Sequence, residues 1–251
     1  MQVMLIMGGS GSVGRAVADR ALSAGWAVIL HGRSPDTVEA ICQQLRKQYP
    51  TAVVRPAVCT CDDTTDFAHL LDQLGLEDGL DAVVDCVAAG PKAGGISGSI
   101  GAVDPLQLSE FMSLSAVYTQ KLAAATLPRL RNRRGCLITF VSDAGRYPAP
   151  NQAIIGAARA ATIGFIRNLA LEVARDGVRA HCISLSYVED SAIVERLDRG
   201  AGRPRVDKAR ARAGLGLPSP DDIAPLVLFL CGEGAQRMTG QVMSINGGLN
   251  T

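Results

Sequence analysis

One doubly wound α/β domain is the fold this chain predicts, and three observations carry it. Apolar strand-like runs alternate with helix-forming stretches along the whole length, which calls for a parallel sheet with helices on both faces. The first run, Val3 to Met7, feeds a glycine-rich turn and then a helix, the arrangement that receives a dinucleotide pyrophosphate. With 251 residues, 47% hydrophobic and 20% charged, the chain can bury one large core, and no linker or repeat interrupts it.

The opening stretch, MQVMLIMGGSGSVG, organises the rest. Gly9, Gly11 and Gly14 satisfy G-x-G-x-x-G, where small residues permit a tight turn and a close approach to phosphate. A helix from Arg15 to Ala24 then presents its free N–H groups to the anion. The second strand, Ala27 to Leu30, ends in His31-Gly32-Arg33-Ser34. An acid for the adenosine ribose belongs about eighteen residues beyond Gly14, and Gly32 stands there. With no carboxylate to repel a 2′-phosphate and Arg33 next to it to pair with one, NADP is favoured over NAD. Ser34 and Pro35 open a helix to Gln48.

The third strand, Ala52 to Val58, leads to Cys61-Asp62-Asp63. Asp62 is placed to accept the adenine amino group, or to cap the helix from Asp66 to Leu74. The fourth strand, Asp81 to Cys86, passes into the small residues of Val87-Ala88-Ala89-Gly90, and a glycine-rich loop runs from Pro91 to Val103. A long helix spans Leu106 to Arg131. Its basic end, RLRNRR, complements the helix dipole. Cys136 to Val141 is the fifth strand, followed by Ser142 and Asp143. A second long helix, Gln152 to Arg175, is rich in alanine and glycine and suits close helix packing between subunits. The sixth strand is Val178 to Ser184. A polar segment from Ser191 to Gly214 carries six arginines and one lysine. Pro220-Asp221-Asp222 starts a last helix to Cys231, and Met238 to Asn246 is the last strand.

A net charge of +1 argues against nucleic-acid binding by bulk charge. No run approaches a membrane span, and no signal peptide is evident, so a cytoplasmic, non-membrane protein is expected. Of the cysteines at 42, 59, 61, 86, 136, 182 and 231, only Cys59 and Cys61 are close, with no histidine near them in sequence. They read as reduced core residues, and no metal site is expected.

These segments together resemble the short-chain dehydrogenase/reductase family along essentially the whole chain. GGSGSVG is similar to its T-G-x-x-x-G-x-G, with Met7 for threonine and Ser12 for the middle glycine. LDAVVDCVAAG stands where D-x-L-V-N-N-A-G is usual. GCLITFVSDAG resembles the strand that presents the active-site serine, and SPDDIAPLVLFLCGEGAQRMTGQVMSINGG the C-terminal signature. The resemblance implies dinucleotide contacts at Gly8, Ser10, Gly11, Ser12, Val13, Gly14, Arg33, Ser34, Asp62, Asp63, Val87, Ala88, Ala89, Arg159 and Val188, with Ser191–Gly214 as a substrate lid.

The family's usual catalytic set is a serine, a tyrosine and a lysine, with an asparagine on the preceding helix. Ser142 matches the serine. The tyrosine position falls on Ile155, the lysine on Arg159 and the asparagine on Ser113. In the enoyl-thioester-reductase branch the tyrosine lies further back, at Gln152 here, yet AIIGAARA is locally more similar to that branch. Isoleucine donates no proton, and an arginine stays protonated. A positioned general acid is worth roughly 10²–10⁴ in rate, so alcohol chemistry by the usual mechanism would be badly impaired. Reducing an activated C=C asks less of the tyrosine. Tyr147 and Tyr187 are the substitute donors, with His181 and Asp143 behind them.

The expectation is therefore an NADP(H)-dependent reductase with a non-standard site, acting on an enoyl or conjugated carbonyl thioester of coenzyme A or a carrier protein. The alternatives are a cofactor-binding pseudoenzyme and a non-redox dehydratase, isomerase or cyclase on the same fold. A homotetramer or dimer through the two long helices follows from the resemblance.

Overall fold

The computed structural model describes residues 1–62, 64–87, 98–102 and 105–250. The first half-sheet is built from β1 (Val3–Met7), α1 (Ser12–Ser23), β2 (Ala27–Gly32), α2 (Pro35–Gln48), β3 (Val54–Val58), α3 (Phe67–Gln73) and β4 (Ala82–Asp85). The second contains α4 (Pro105–Met112), α5 (Tyr118–Arg133), β5 (Cys136–Ser142), α6 (Ala153–Val173), β6 (Arg179–Leu185), α7 (Ala192–Asp198), α8 (Arg203–Arg212), α9 (Pro220–Cys231) and β7 (Val242–Ile245). The strands form one seven-stranded sheet in the order β3-β2-β1-β4-β5-β6-β7, every pair parallel. The order reverses at β1. The crevice between the carboxyl ends of β1 and β4 is where such sheets bind ligands.

Side-chain alternation divides the core in two. Met4, Ile6, Val28 and Leu30 point to one face and pack against α1, α2 and α9 through Val17, Val38, Ile223 and Val227. Leu5, Met7, Ile29 and Val83 point to the other and meet α3, α5 and α6 through Phe67, Leu122 and Ile166. Burial on both faces explains why the strands read as continuous apolar runs.

Most elements fall where the sequence places them, with shifts of a few residues at their ends. β7 is the largest change, Val242–Ile245 rather than Met238 to Asn246. The long helix expected from Leu106 to Arg131 is divided by a π-helical segment, Ser113–Val117. Asp66 caps α3 by accepting from the His69 N–H at 3.0 Å, so Asp62 is not that cap. The basic end of α5 does more than meet the dipole: Arg131 pairs with Asp176 at 2.7 Å and Arg133 donates to the Asp78 carbonyl at 2.8 Å. The stretch Ala153–Asp176 is, by length and composition, apolar enough to cross a membrane, contrary to expectation. Here Ile154, Ala158, Ile163, Ile166, Leu169 and Val173 of that helix are buried, as in a core helix. Most of the glycine-rich loop expected between Pro91 and Val103 lies outside the described residues.

Candidate active site

The turn after β1 is fixed by close backbone approaches. Gly8 has φ of 71°, and a Cβ there would lie 2.8 Å from the Cys86 carbonyl carbon and oxygen. A Cβ on Gly14 would lie 2.5 Å from the Gly8 carbonyl oxygen and 2.6 Å from Gly9 Cα. These contacts bring the α1 N-terminus down onto the turn. Gly11 caps α1 with no side-chain acceptor, and the first turn holds no acidic residue. The N–H groups of Ser12, Val13 and Gly14 therefore remain available to an anion. Ser12 starts α1 without a positive φ, so the backbone accepts a serine where a glycine is usual.

Ser10 packs against the end of β2. A Cβ on Gly32 would lie 3.0 Å from Ser10 Oγ and 2.5 Å from a Val38 methyl carbon, which leaves no room there for a carboxylate side chain. Arg33 is exposed beside it and makes no ion pair with a described residue. Ser34 is committed to capping α2, accepting from the Thr37 N–H at 3.4 Å and the Thr37 hydroxyl at 3.0 Å. Asp62 is exposed, and its Oδ1 accepts from the Thr64 N–H at 2.9 Å and the Thr64 hydroxyl at 2.6 Å. Hydrogen bonds from Thr64 and Thr60 hold its carboxyl down at about 2. Asp63, Ala88 and Ala89 lie outside the described residues. The Val87 N–H donates to Asp85 Oδ1 at 3.1 Å, and Val188 is buried in the core layer with α9.

At the carboxyl end of β5, Ser142, Tyr147, Gln152, Tyr187 and Asn250 line one small cavity of ≈ 90 Å³. It adjoins a wider groove of ≈ 720 Å³ that shares Tyr147 and Gln152 and is bounded by Ser99 and Ile100. The fold thus brings Ser142 together with both substitute tyrosines. Ser142 Oγ also accepts from the Ala144 N–H at 3.3 Å, and Tyr187 packs against Ala209, Ala213 and Leu249. Arg146 lies over the Tyr147 ring, its guanidinium carbon 5.0 Å from the centroid.

Arg159 does not line that cavity. It is half-buried, with its guanidinium 5.9 Å from the Phe111 centroid, while Ile155 joins the Phe111, Ile154 and Ala158 cluster. Burial pulls the Arg159 pKa down, and Asp85 pushes it back up. Asp85 is buried at the end of β4 and accepts from Tyr118 at 3.2 Å and Thr139 at 3.0 Å. Burial raises its pKa against these bonds and the pull of Arg159. Ser113, at the asparagine position, opens the π-helical segment.

Asp143 is more central than its sequence rank. It is buried and accepts from Ser184 at 2.5 Å, Ser244 at 3.2 Å, Asn246 at 2.6 Å and Asn250 at 3.2 Å. This carboxylate holds the C-terminal segment against the cavity wall. His181 is fully buried in β6, and burial, with the nearby Arg179 charge, lowers its pKa to about 4. It does not line the cavity. In the expected lid, three of the seven cations form ion pairs with described residues. Arg210 pairs with Glu189 at 2.6 Å and with Asp198 at 2.7 Å, and Arg199 and Arg203 pair with Glu195 and Asp207.

A family model described as enoyl-(acyl carrier protein) reductase matches residues 8–250. The chain belongs to the short-chain dehydrogenase/reductase family. Dehydrogenase/reductase SDR family member 4 of Sus scrofa is 26% identical over 98% of this chain and 86% of that protein. The 3-oxoacyl-[acyl-carrier-protein] reductase FabG of Aquifex aeolicus is 24% identical over 99% and 97%. Among solved structures, an NADPH-bound short-chain oxidoreductase from Pseudomonas aeruginosa, described as containing an atypical catalytic centre, aligns with a TM-score of 0.85 at 25% identity over 99% of this chain and 96% of that one. Family membership makes this an oxidoreductase fold with a nicotinamide dinucleotide site, and the uncapped α1 and the Gly8–Gly14 turn fit that group.

Proposed function

We propose that this protein is an NADP(H)-dependent reductase that uses a non-standard site to reduce an enoyl or other conjugated carbonyl thioester. The observation that carries the reading is the gathering of Ser142, Tyr147, Gln152 and Tyr187 in one cavity at the sheet's carboxyl end, while Ile155 and Arg159 occupy the usual tyrosine and lysine positions. A nicotinamide dinucleotide bound at the β1–α1 turn would supply the hydride. Arg33 pairs with the 2′-phosphate and Asp62 accepts from the adenine through its remaining carboxylate oxygen. Arg159 orients the nicotinamide ribose. Ser142 donates to the substrate carbonyl oxygen, and Tyr147 or Tyr187 delivers the proton that completes reduction. A C=C substrate suits this set, because its enolate oxygen needs a hydrogen-bond donor more than a strong acid. The Pseudomonas relative's NADPH and atypical centre support the same reading. Exposed Val117 and Leu171 on the long helices support a homodimer or homotetramer through those faces.

Titration with NADPH and NADH, followed by fluorescence, tests the first half. NADPH should bind more tightly, and Arg33→Ala should erase the difference. Turnover of enoyl thioesters, measured by NADPH absorbance, tests the second. If Ser142→Ala, Tyr147→Phe and Tyr187→Phe all leave turnover intact, the catalytic assignment is wrong. The paired loss of tyrosine and lysine favours one rival, a dinucleotide-binding protein without turnover, which would bind NADPH and reduce none of these substrates.

A further inference from the structure

A second cluster of reactive side chains lies at the carboxyl end of β2 and β3, outside the cavity above. The register that sets His31 beside Ala57 carries the His31 ring to the turn after β3. Its Nε2 lies 3.1 Å from the Cys59 carbonyl oxygen, 3.2 Å from Cys59 Sγ and 3.4 Å from Cys61 Sγ. The two sulfurs are 3.6 Å apart. The sequence sets no histidine near this pair, and the fold brings one in from β2.

Three such atoms within 4.8 Å of one another have the spacing of a metal site. The protons argue otherwise. The Gly8 N–H points at His31 Nδ1 at 3.0 Å and can only donate, so Nδ1 carries the lone pair. The proton of the neutral ring therefore sits on Nε2, facing the sulfurs. A metal-bound Nε2 would need a proton on Nδ1, opposite that N–H. The ring is a hydrogen-bond donor to the thiol pair.

We propose that Cys59 is a nucleophilic modification site for hydroperoxides, with Cys61 as its resolving thiol. Cys59 is the half-buried member of the pair and Cys61 the buried one. Cys59 Sγ receives the Cys61 S–H and the His31 Nε2–H, and these bonds lower its pKa to about 5, the Cys61 bond contributing most. The same pairing, followed by burial, raises Cys61 and keeps it a thiol. The titratable groups facing the pair are His31 from β2 and, toward Cys61, Tyr118 from α5 and Asp85 from β4. The Cys59 thiolate attacks one peroxide oxygen, the O–O bond breaks, an S–O bond forms and hydroxide leaves. Cys61 sulfur then attacks Cys59 sulfur, forming S–S as S–O breaks, and the departing hydroxide takes the Cys61 proton as water. Two thiol electron equivalents reduce one peroxide.

This chemistry requires no dinucleotide, so it stands or falls apart from the reductase reading. The full-length reduced protein is treated with hydrogen peroxide, alkylated and peptide-mapped. The expected product is a Cys59–Cys61 disulfide. Cys61→Ser should leave a dimedone-reactive sulfenic acid on Cys59, and Cys59→Ser should leave Cys61 reduced. Should either variant misfold, the wild type alone still decides. Its Cys59 alkylation rate should change less than about twofold between pH 6.5 and 8, whereas an ordinary thiol of pKa near 8.5 rises on the order of 20-fold. A Cys59 profile as steep as an ordinary thiol's, or no disulfide under peroxide, overturns the proposal. So does stoichiometric zinc that blocks alkylation of both sulfurs.

Discussion

Replacing Asp143 by alanine tests how the cavity wall is held. The carboxylate takes four side-chain donors, and two of them, on Ser184 and Asn246, are themselves buried. Removing the acceptor strands the Ser184 hydroxyl and one of the two Asn246 amide hydrogens, the other keeping the Asn250 carbonyl at 2.9 Å. A buried donor left without a partner costs about 1–3 kcal/mol, so Asp143→Ala should lose about 3–5 kcal/mol once the shorter side chain's packing is included. Asp143→Asn separates charge from connectivity. Its amide oxygen can still accept from Asn246 and Asn250, while its NH₂ donates to the serine hydroxyls, which can rotate to accept. That variant should lose about 1–2 kcal/mol. Urea unfolding followed by circular dichroism gives both values, and the alanine variant should melt on the order of 10 °C lower. Hydrogen exchange supplies the local signature. The Gly248 N–H, held by Asn246 Oδ1 at 3.0 Å, should exchange faster in the alanine variant than in the asparagine one. An alanine variant within about 1 kcal/mol of wild type, with Gly248 protection unchanged, refutes the reasoning.

Three further perturbations follow from the geometry. Gly14→Ala forces a methyl carbon against backbone atoms of Gly8 and Gly9 that cannot swing aside, so it should weaken NADPH binding at least about tenfold and cost about 1–3 kcal/mol of stability, read by calorimetry and urea unfolding. His181 titrates near 4 when folded, against 6.5 for a free histidine. The unfolded chain therefore binds the extra proton between those values, and stability should rise by about 3 kcal/mol as pH climbs through the window, then level off. His181→Leu should flatten that limb, and an unchanged difference between the two proteins from pH 4 to 6.5 would count against it. Arg210→Gln releases Glu189 and Asp198 together, so limited proteolysis between Ser191 and Gly214 should accelerate severalfold while the global urea midpoint stays close to that of the wild type, because solvent screens the guanidinium.

The fold was legible because nearly every element declares itself locally. Buried parallel strands must be apolar on both faces, and Val3–Met7, Ala27–Gly32 and Cys136–Ser142 satisfy that in one reading. The phosphate turn was legible for the same reason, since Gly14 is required by contacts with Gly8 and Gly9 inside one short segment, whereas the contact that requires Gly8 comes from Cys86, just beyond the neighbouring strand β4. Residues that act together from distant positions were harder to see. Asp143 looks like a turn residue until Ser184, Ser244, Asn246 and Asn250 converge on it. His31 looks unrelated to Cys59 until β2 and β3 are set in register, and aligning the two strand ends is the signal that would have joined them. The π-helical segment at Ser113–Val117 carries no composition that separates it from the helix on either side.

The departures at the catalytic positions make physical sense as a set rather than singly. A lysine replaced by arginine brings a guanidinium that cannot shed its charge, and burying it requires a compensating anion. Asp85, where the related pattern has an asparagine, supplies one: its charge raises the Arg159 pKa while Arg159 lowers that of Asp85. Tyr118 and Thr139 hold the carboxylate in place, so the compensating negative charge is fixed. An arginine can orient a ribose diol, yet it cannot accept and pass on a proton. Under the proposed reduction, the proton comes instead from Tyr147 or Tyr187, which line one cavity with Ser142. Exchanging Arg159 for lysine alone should therefore fail to restore alcohol chemistry, because Ile155 leaves no hydroxyl for it to activate. Restoring both, with Ile155→Tyr and Arg159→Lys, should produce ketone reduction measurable by NADPH oxidation. A double variant that binds NADPH but remains inactive on 3-ketoacyl thioesters would mean that the cavity, and not the proton donor, sets the reaction.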